Sequence, residues 1–158
     1  MRRLLALLTV VLVLAAINWR ILGSERVLRE GEMFYLELAP VDPRSLLQGD
    51  YMALNYAVAN AMREWPGQQQ AEGWVMLKLG ADRVAREPQP VSGPGQVPAD
   101  HVVLRYQRDG WRIRVGSDAW FFEEGQGARF ERARYGLFRT DGEHALLTAL
   151  VDQAFQPL

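Results

Sequence analysis

Hydrophobic positions are distributed along this chain in two ways. At the N-terminus they are continuous: Leu4–Ile17 is apolar except for Thr9, followed by Asn18, Trp19 and Arg20 and then by Ile21 and Leu22. A helix needs about 20 mostly apolar residues to cross a hydrocarbon core about 30 Å thick. Leu4–Leu22 has that length, with Trp19 and Arg20 where an interface would receive them. Such a helix pairs its own backbone groups and so tolerates lipid. A basic start at Arg2 and Arg3 and an apolar stretch also describe a cleaved signal peptide, but no small-x-small pair follows the run cleanly, since Ala15 stands two before Ile17 and Ile21 two before Gly23. A soluble core helix is a third reading. The pattern favours an uncleaved anchor over residues 1–23 and one domain over residues 24–158.

Beyond Gly31 the period changes to two. In Glu32–Ala39, Phe34, Leu36 and Leu38 share one side and Met33, Tyr35 and Glu37 the other, which predicts a strand. Pro40 and Pro43 end it. Asp50–Val58 alternates again, with Met52, Leu54, Tyr56 and Val58 on the core side and Tyr51 pointing away. Ser24–Glu30 reads as one or two helical turns stopped by Gly31, and Asn60–Trp65 as a helical turn. Trp74–Leu79 reads as a strand. Asp82–Ala99 holds Pro88, Pro90, Pro94 and Pro98 and reads as a long loop.

Two hairpins follow from Asp-Gly pairs. One turns at Asp109-Gly110 between His101–Gln107 and Trp111–Gly116, which sets Tyr106 opposite Ile113, Leu104 opposite Val115 and Arg105 opposite Arg114. The other turns at Asp141-Gly142, with Phe138 opposite Ala145 and Leu137 opposite Leu146. Trp120–Glu123 is a further strand and Gly127–Arg134 a short helix. Seven or eight short strands with few helices predict a mainly β domain, a small barrel or a sandwich.

Composition narrows the function. The 158 residues carry a net charge of -1, which argues against a broad nucleic-acid surface. There is no cysteine, so disulfides, thiolate metal sites and cysteine nucleophiles are excluded. His101 and His144 lack ligand spacing, and no metal site or cofactor is expected. Glu123 and Glu124 are adjacent and point to opposite strand faces, so they form no carboxylate dyad; a pair of Asp50 with Glu123 is a weak alternative. Arg105, Arg112 and Arg114 share a strand face, either solvated beside acidic neighbours or a candidate anion-contact face for headgroups or an acidic partner.

Gly49-Asp50-Tyr51-Met52-Ala53-Leu54-Asn55-Tyr56 spells GDYxxLxY, and Pro40-Val41-Asp42-Pro43-Arg44 precedes it. Further on stands Trp120-Phe121-Phe122-Glu123-Glu124-Gly125. With the anchor, these segments resemble the membrane-anchored bacterial GDYXXLXY family. The resemblance implies no reaction, because the family's biochemical role is unassigned. It implies a bacterial inner-membrane protein with an extracytoplasmic domain, and a multi-pass membrane protein as partner. Arg2 and Arg3 agree with a cytoplasmic N-terminus, whereas Arg20, Arg26 and Arg29 weigh against it beside Glu25 and Glu30. Motif residues Asp42, Pro43, Arg44, Gly49, Asp50, Tyr51, Leu54 and Tyr56 are either structural or a recognition patch. On the structural reading Asp50 pins the turn while Leu54 and Tyr56 fill the core. On the other, Asp42, Arg44, Asp50 and Tyr51 are an exposed contact.

The alternative is a hydrolase like the type I signal peptidases, or an inactive relative of one. They place a serine before a Gly-Asp turn in a membrane-anchored β domain. Here the serine's position is Val41, Ser45 has the wrong spacing, and Lys78 is the only lysine available as a base. No complete catalytic set is visible, so an accessory or interaction protein is the leading expectation.

Overall fold

The computed structural model describes residues 2–39, 51–65 and 70–158. The chain is mainly β: a long apolar helix leads into a domain of nine described strands and two short helices. Helix α1 runs unbroken from Arg2 to Glu30, so the turns expected at Ser24–Glu30 are its continuation. It is the one helix among the described residues long and apolar enough to cross a membrane. Side chains from Leu8 to Arg26 are exposed and Val27 is buried.

Helix α1 ends against the domain at Gly31. The Gly31 amide donates to the Val27 carbonyl at 2.9 Å, and Arg139 Nη1 donates to the Gly31 carbonyl at 3.2 Å. A Cβ on Gly31 would run into the Val27 carbonyl and come within 3.0 Å of the Thr140 carbonyl. Only glycine lets these backbones approach so closely.

Strand β1 (Glu32–Glu37) pairs antiparallel with β8 (Tyr135–Thr140), which pairs with β9 (Ala145–Val151). A second sheet has the order β4 (Ala85–Val91), β3 (Glu72–Leu79), β5 (His101–Asp109), β6 (Arg112–Val115). A third pairs β2 (Tyr51–Ala53) with β7 (Ala119–Phe121). The bridges Tyr35–Val84 and Leu38–Tyr56 tie the first sheet to its neighbours. Phe34 and Leu36 of β1 are fully buried, as their alternation requires, and the Phe34 ring stacks on Phe138 at 5.5 Å. The sheets curve as a half-barrel around this core.

Several expectations fail for physical reasons. Asp50–Val58 is not one strand: β2 stops at Ala53, Tyr56 makes one bridge, and α2 occupies Ala57–Met62. Met52, Leu54, Tyr56 and Val58 are all buried, but from Ala57 the inward positions Val58, Ala59 and Met62 follow helical spacing. The helical turn expected at Asn60–Trp65 is displaced accordingly. The expected loop over Asp82–Ala99 contains strand β4, with Pro88 and Pro90 inside it. Prolines are tolerated there because β4 is a sheet edge and owes no second ladder.

Both hairpins shift register. The first turns at Gly110-Trp111, pairing Tyr106 with Val115 and Gln107 with Arg114. Gly110 takes φ +57 while Trp111 does not turn positive, as a two-residue turn with glycine first prefers. Apolar parity is unchanged, which is why pattern alone did not resolve it, but Arg105 and Arg114 are not opposite one another. The second hairpin has a four-residue loop that pairs Thr140 with Ala145 and Phe138 with Leu147. Asp141 Oδ1 accepts from the amides of Glu143 (2.9 Å) and His144 (2.7 Å), closing this wider turn. The strand expected at Trp120–Glu123 is Ala119–Phe121, and the helix expected at Gly127–Arg134 is only α3, Gly127–Phe130.

Candidate functional site

The described residues stop at Ala39, two beyond β1, and resume at Tyr51, and backbone bonds join the two flanks. Leu38 pairs with Tyr56, and the Ala39 amide donates to the Asn55 carbonyl at 2.9 Å. Asp42, Pro43, Arg44, Ser45, Gly49 and Asp50 lie outside the described residues. Tyr51, Leu54 and Tyr56 are described, and their roles separate.

Tyr56 is a core residue. Its side chain is 2% exposed and its ring meets Phe138 edge-on at 5.7 Å. Its hydroxyl donates to the Ser117 carbonyl at 2.8 Å. Burial, and then the negative charge of Asp118, push the phenol far above its ordinary value, so it stays a hydrogen-bond donor. Leu54 is buried, and its amide donates to the Asp118 carbonyl at 2.9 Å. Asn55 accepts from the Tyr56 amide and donates to Asn60, joining the motif to the first turn of α2.

Tyr51 lies on the outer face of β2. It pairs in register with Phe121, and the two rings lie 5.8 Å apart, tilted. Phe121 is 76% exposed. Thus the GDYxxLxY segment and the Trp-Phe-Phe segment, far apart in sequence, are antiparallel neighbours. Met52 stands opposite Trp120 on the inner side. The indole N–H of Trp120 is buried with no partner among the described residues. Phe121 was not singled out from sequence; the signal available was an aromatic at the strand position of Tyr51's own parity.

A family model described as GDYXXLXY protein matches residues 13–150. The chain belongs to the GDYXXLXY family. No curated protein and no solved structure matches significantly. The family has no assigned function, so any role for this GDYXXLXY domain is argued from its own geometry.

A cavity of about 550 Å³ lies beside the motif strand, bounded by Glu37, Met52, Leu54, Phe130, Arg134 and Tyr135. Arg134 donates to the carbonyls of Glu131 and Ala133, so its guanidinium serves the local turn. Among the described residues no three His, Asp or Glu side chains are grouped to hold a metal. Lys78 is exposed on β3, opposite Arg86 and His101. His101 and His144 each meet a neighbouring carboxylate, Asp100 at 2.8 Å and Asp141 at 3.4 Å.

Arg105, Arg112 and Arg114 stand on β5 and β6. Arg105 meets Glu72 of the neighbouring strand β3 at 2.6 Å. Arg114 donates to Gln107 at 3.3 Å and lies 3.9 Å from Asp118. Arg112 pairs in register with Asp109. All three charges therefore have an acidic neighbour, two of them within ion-pair distance, and the register shift removes the Arg105–Arg114 opposition.

Proposed function

We propose that this member of the GDYXXLXY family is a single-pass protein of the bacterial inner membrane whose extracytoplasmic β domain acts as an accessory subunit of a multi-pass membrane protein. The observation that carries the reading is the exposed Tyr51–Phe121 pair, built by the two sequence segments that mark the family. Large aromatics left in solvent on a paired strand face are characteristic of contact surfaces rather than of folding. Helix α1 supports the membrane part: it is apolar, solvent-exposed over Leu8–Arg26 and fastened to the domain at Gly31.

A pull-down of the tagged full-length protein from its native membrane in mild detergent tests this. A stoichiometric multi-pass protein is expected, lost at least tenfold with Tyr51→Ala or Phe121→Ala while the thermal melt is kept. A solitary protein after gentle crosslinking overturns the reading. The hydrolase alternative predicts labelling by a serine-reactive phosphonate that disappears in Ser45→Ala and in Lys78→Ala; the accessory reading predicts no such labelling.

A further inference from the structure

Two strand edges flank one slot with no ladder between them among the described residues. Among the described residues, strand β7 pairs only with β2, and the β9 edge away from β8 is covered only at its end, where Leu158 donates to the Leu150 carbonyl and Val151 bridges Pro157. Between β7 and the first residues of β9 lies a slot of about 510 Å³, lined by Ser117, Ala119, Phe121, Ala145, Leu146 and Leu147.

The backbone alternation says which groups point into it. The Leu54 amide bonds the Asp118 carbonyl in the β2–β7 register. Antiparallel ladders alternate, so Met52 and Trp120 exchange the next bonds, and Ala119 and Phe121 turn their amides outward. On the other wall the Asp141 amide bonds the His144 carbonyl. Arg139 and Leu146 then exchange the next bonds, and Ala145 and Leu147 face outward. The Ala119 carbonyl accepts from the Ser117 hydroxyl at 2.8 Å. The outward amides of Ala119, Phe121, Ala145 and Leu147 have no partner among the described residues.

Two rows of backbone amides without a partner among the described residues match a peptide backbone, and an open edge is a template for another strand. Apolar walls at Phe121 and Leu147 suit alternate apolar side chains. Ala145 stands in one row across the sheet with Thr140 and Glu32, and Glu32 is the first strand residue after α1. The slot therefore opens at the level where the chain leaves its helix, within about 12 Å of helix from Leu22.

We propose that the slot takes an extended segment of the membrane partner, which adds as a strand between β7 and β9. This rests on the accessory-subunit reading and deepens it. The test is residue-resolved amide exchange of the full-length protein in native membranes and of the same protein purified alone in detergent. Ala119, Phe121, Ala145 and Leu147 are expected to exchange at least tenfold more slowly in the native membrane, while Trp120 and Leu146 are slow in both.

A photoreactive phenylalanine placed at Phe121, and separately at Leu147, is expected to crosslink to one and the same segment of the multi-pass protein. Leu147→Pro removes an outward donor and leaves the inward ladder intact, and is expected to abolish the slow exchange at Ala119 and Phe121. If that variant melts early, Phe121→Pro makes the same test from the other wall. Equal exchange in both settings, with the multi-pass protein still recovered, overturns the strand proposal and leaves the accessory reading standing. Crosslinks to a second copy of this chain overturn it in favour of self-association. Recovery of the protein alone overturns both.

Discussion

Replacing Tyr56 by phenylalanine removes one oxygen from the family motif and separates its architectural tyrosine from its exposed one. The hydroxyl is buried and donates to the Ser117 carbonyl at 2.8 Å. Losing a hydrogen bond of this kind costs about 1 kcal/mol, and an acceptor left partly unsatisfied raises the loss to about 1–2 kcal/mol. For a domain of this size the fall in Tm is roughly 4–8 °C. The deficit also depends on pH in a defined direction. The folded chain holds the phenol proton far above the ordinary value of 10.0, whereas the unfolded chain releases it there. Wild type therefore binds more protons folded than unfolded above about pH 10 and loses stability as pH rises. At pH 11 that loss is about 1.4 kcal/mol, and Tyr56→Phe does not suffer it. Denaturant unfolding of the full-length protein in detergent, followed by circular dichroism, should show the mutant's deficit at pH 8 shrinking towards zero at pH 11. A deficit below about 0.3 kcal/mol at pH 8, or one unchanged at pH 11, refutes the assignment of Tyr56 as a buried donor. Tyr51→Ala, at a surface position, should change stability by no more than about 0.5 kcal/mol in the same assay.

Gly31→Ala places a Cβ against the Val27 and Thr140 carbonyls; it should destabilise by more than about 1 kcal/mol and widen the distance distribution between spin labels on α1 and the 141–144 loop. Asp82 is held at about 2, first by its hydrogen bonds from Arg86 and also by the Val84 amide. In Arg86→Gln an NMR titration should find the carboxyl risen towards its ordinary value. Because the folded pKa is depressed, the pair favours folding above about pH 4, and that contribution disappears as pH falls towards 2.

Much of the architecture was legible because strand alternation and apolar runs follow from periods of two and of a membrane's thickness. Phe34, Leu36, Met52, Leu54 and Tyr56 are core on parity alone, and the continuous run at Leu4–Leu22 gives the long helix. Parity does not say how far a period continues, so Val58 was placed on the right side of the wrong element. It does not fix register when a two-residue slip between both strands keeps apolar facing apolar, as in the hairpin at Gly110. Nor does proline content say whether a segment is an edge strand, because that depends on what lies beside it; β4 is a strand since β3 supplies the only ladder it needs.

Sequence by itself settled the family, the mainly β class and the helix at the N-terminus, each of which depends on residues near one another in the chain. Tertiary structure decided that Tyr51 meets Phe121, that Tyr56 caps the Ser117 carbonyl, and that β7 and β9 flank one slot with no ladder between them among the described residues. These depend on which strands become neighbours, and that choice is made by burying the shared core, a property of the whole chain that no local spacing records.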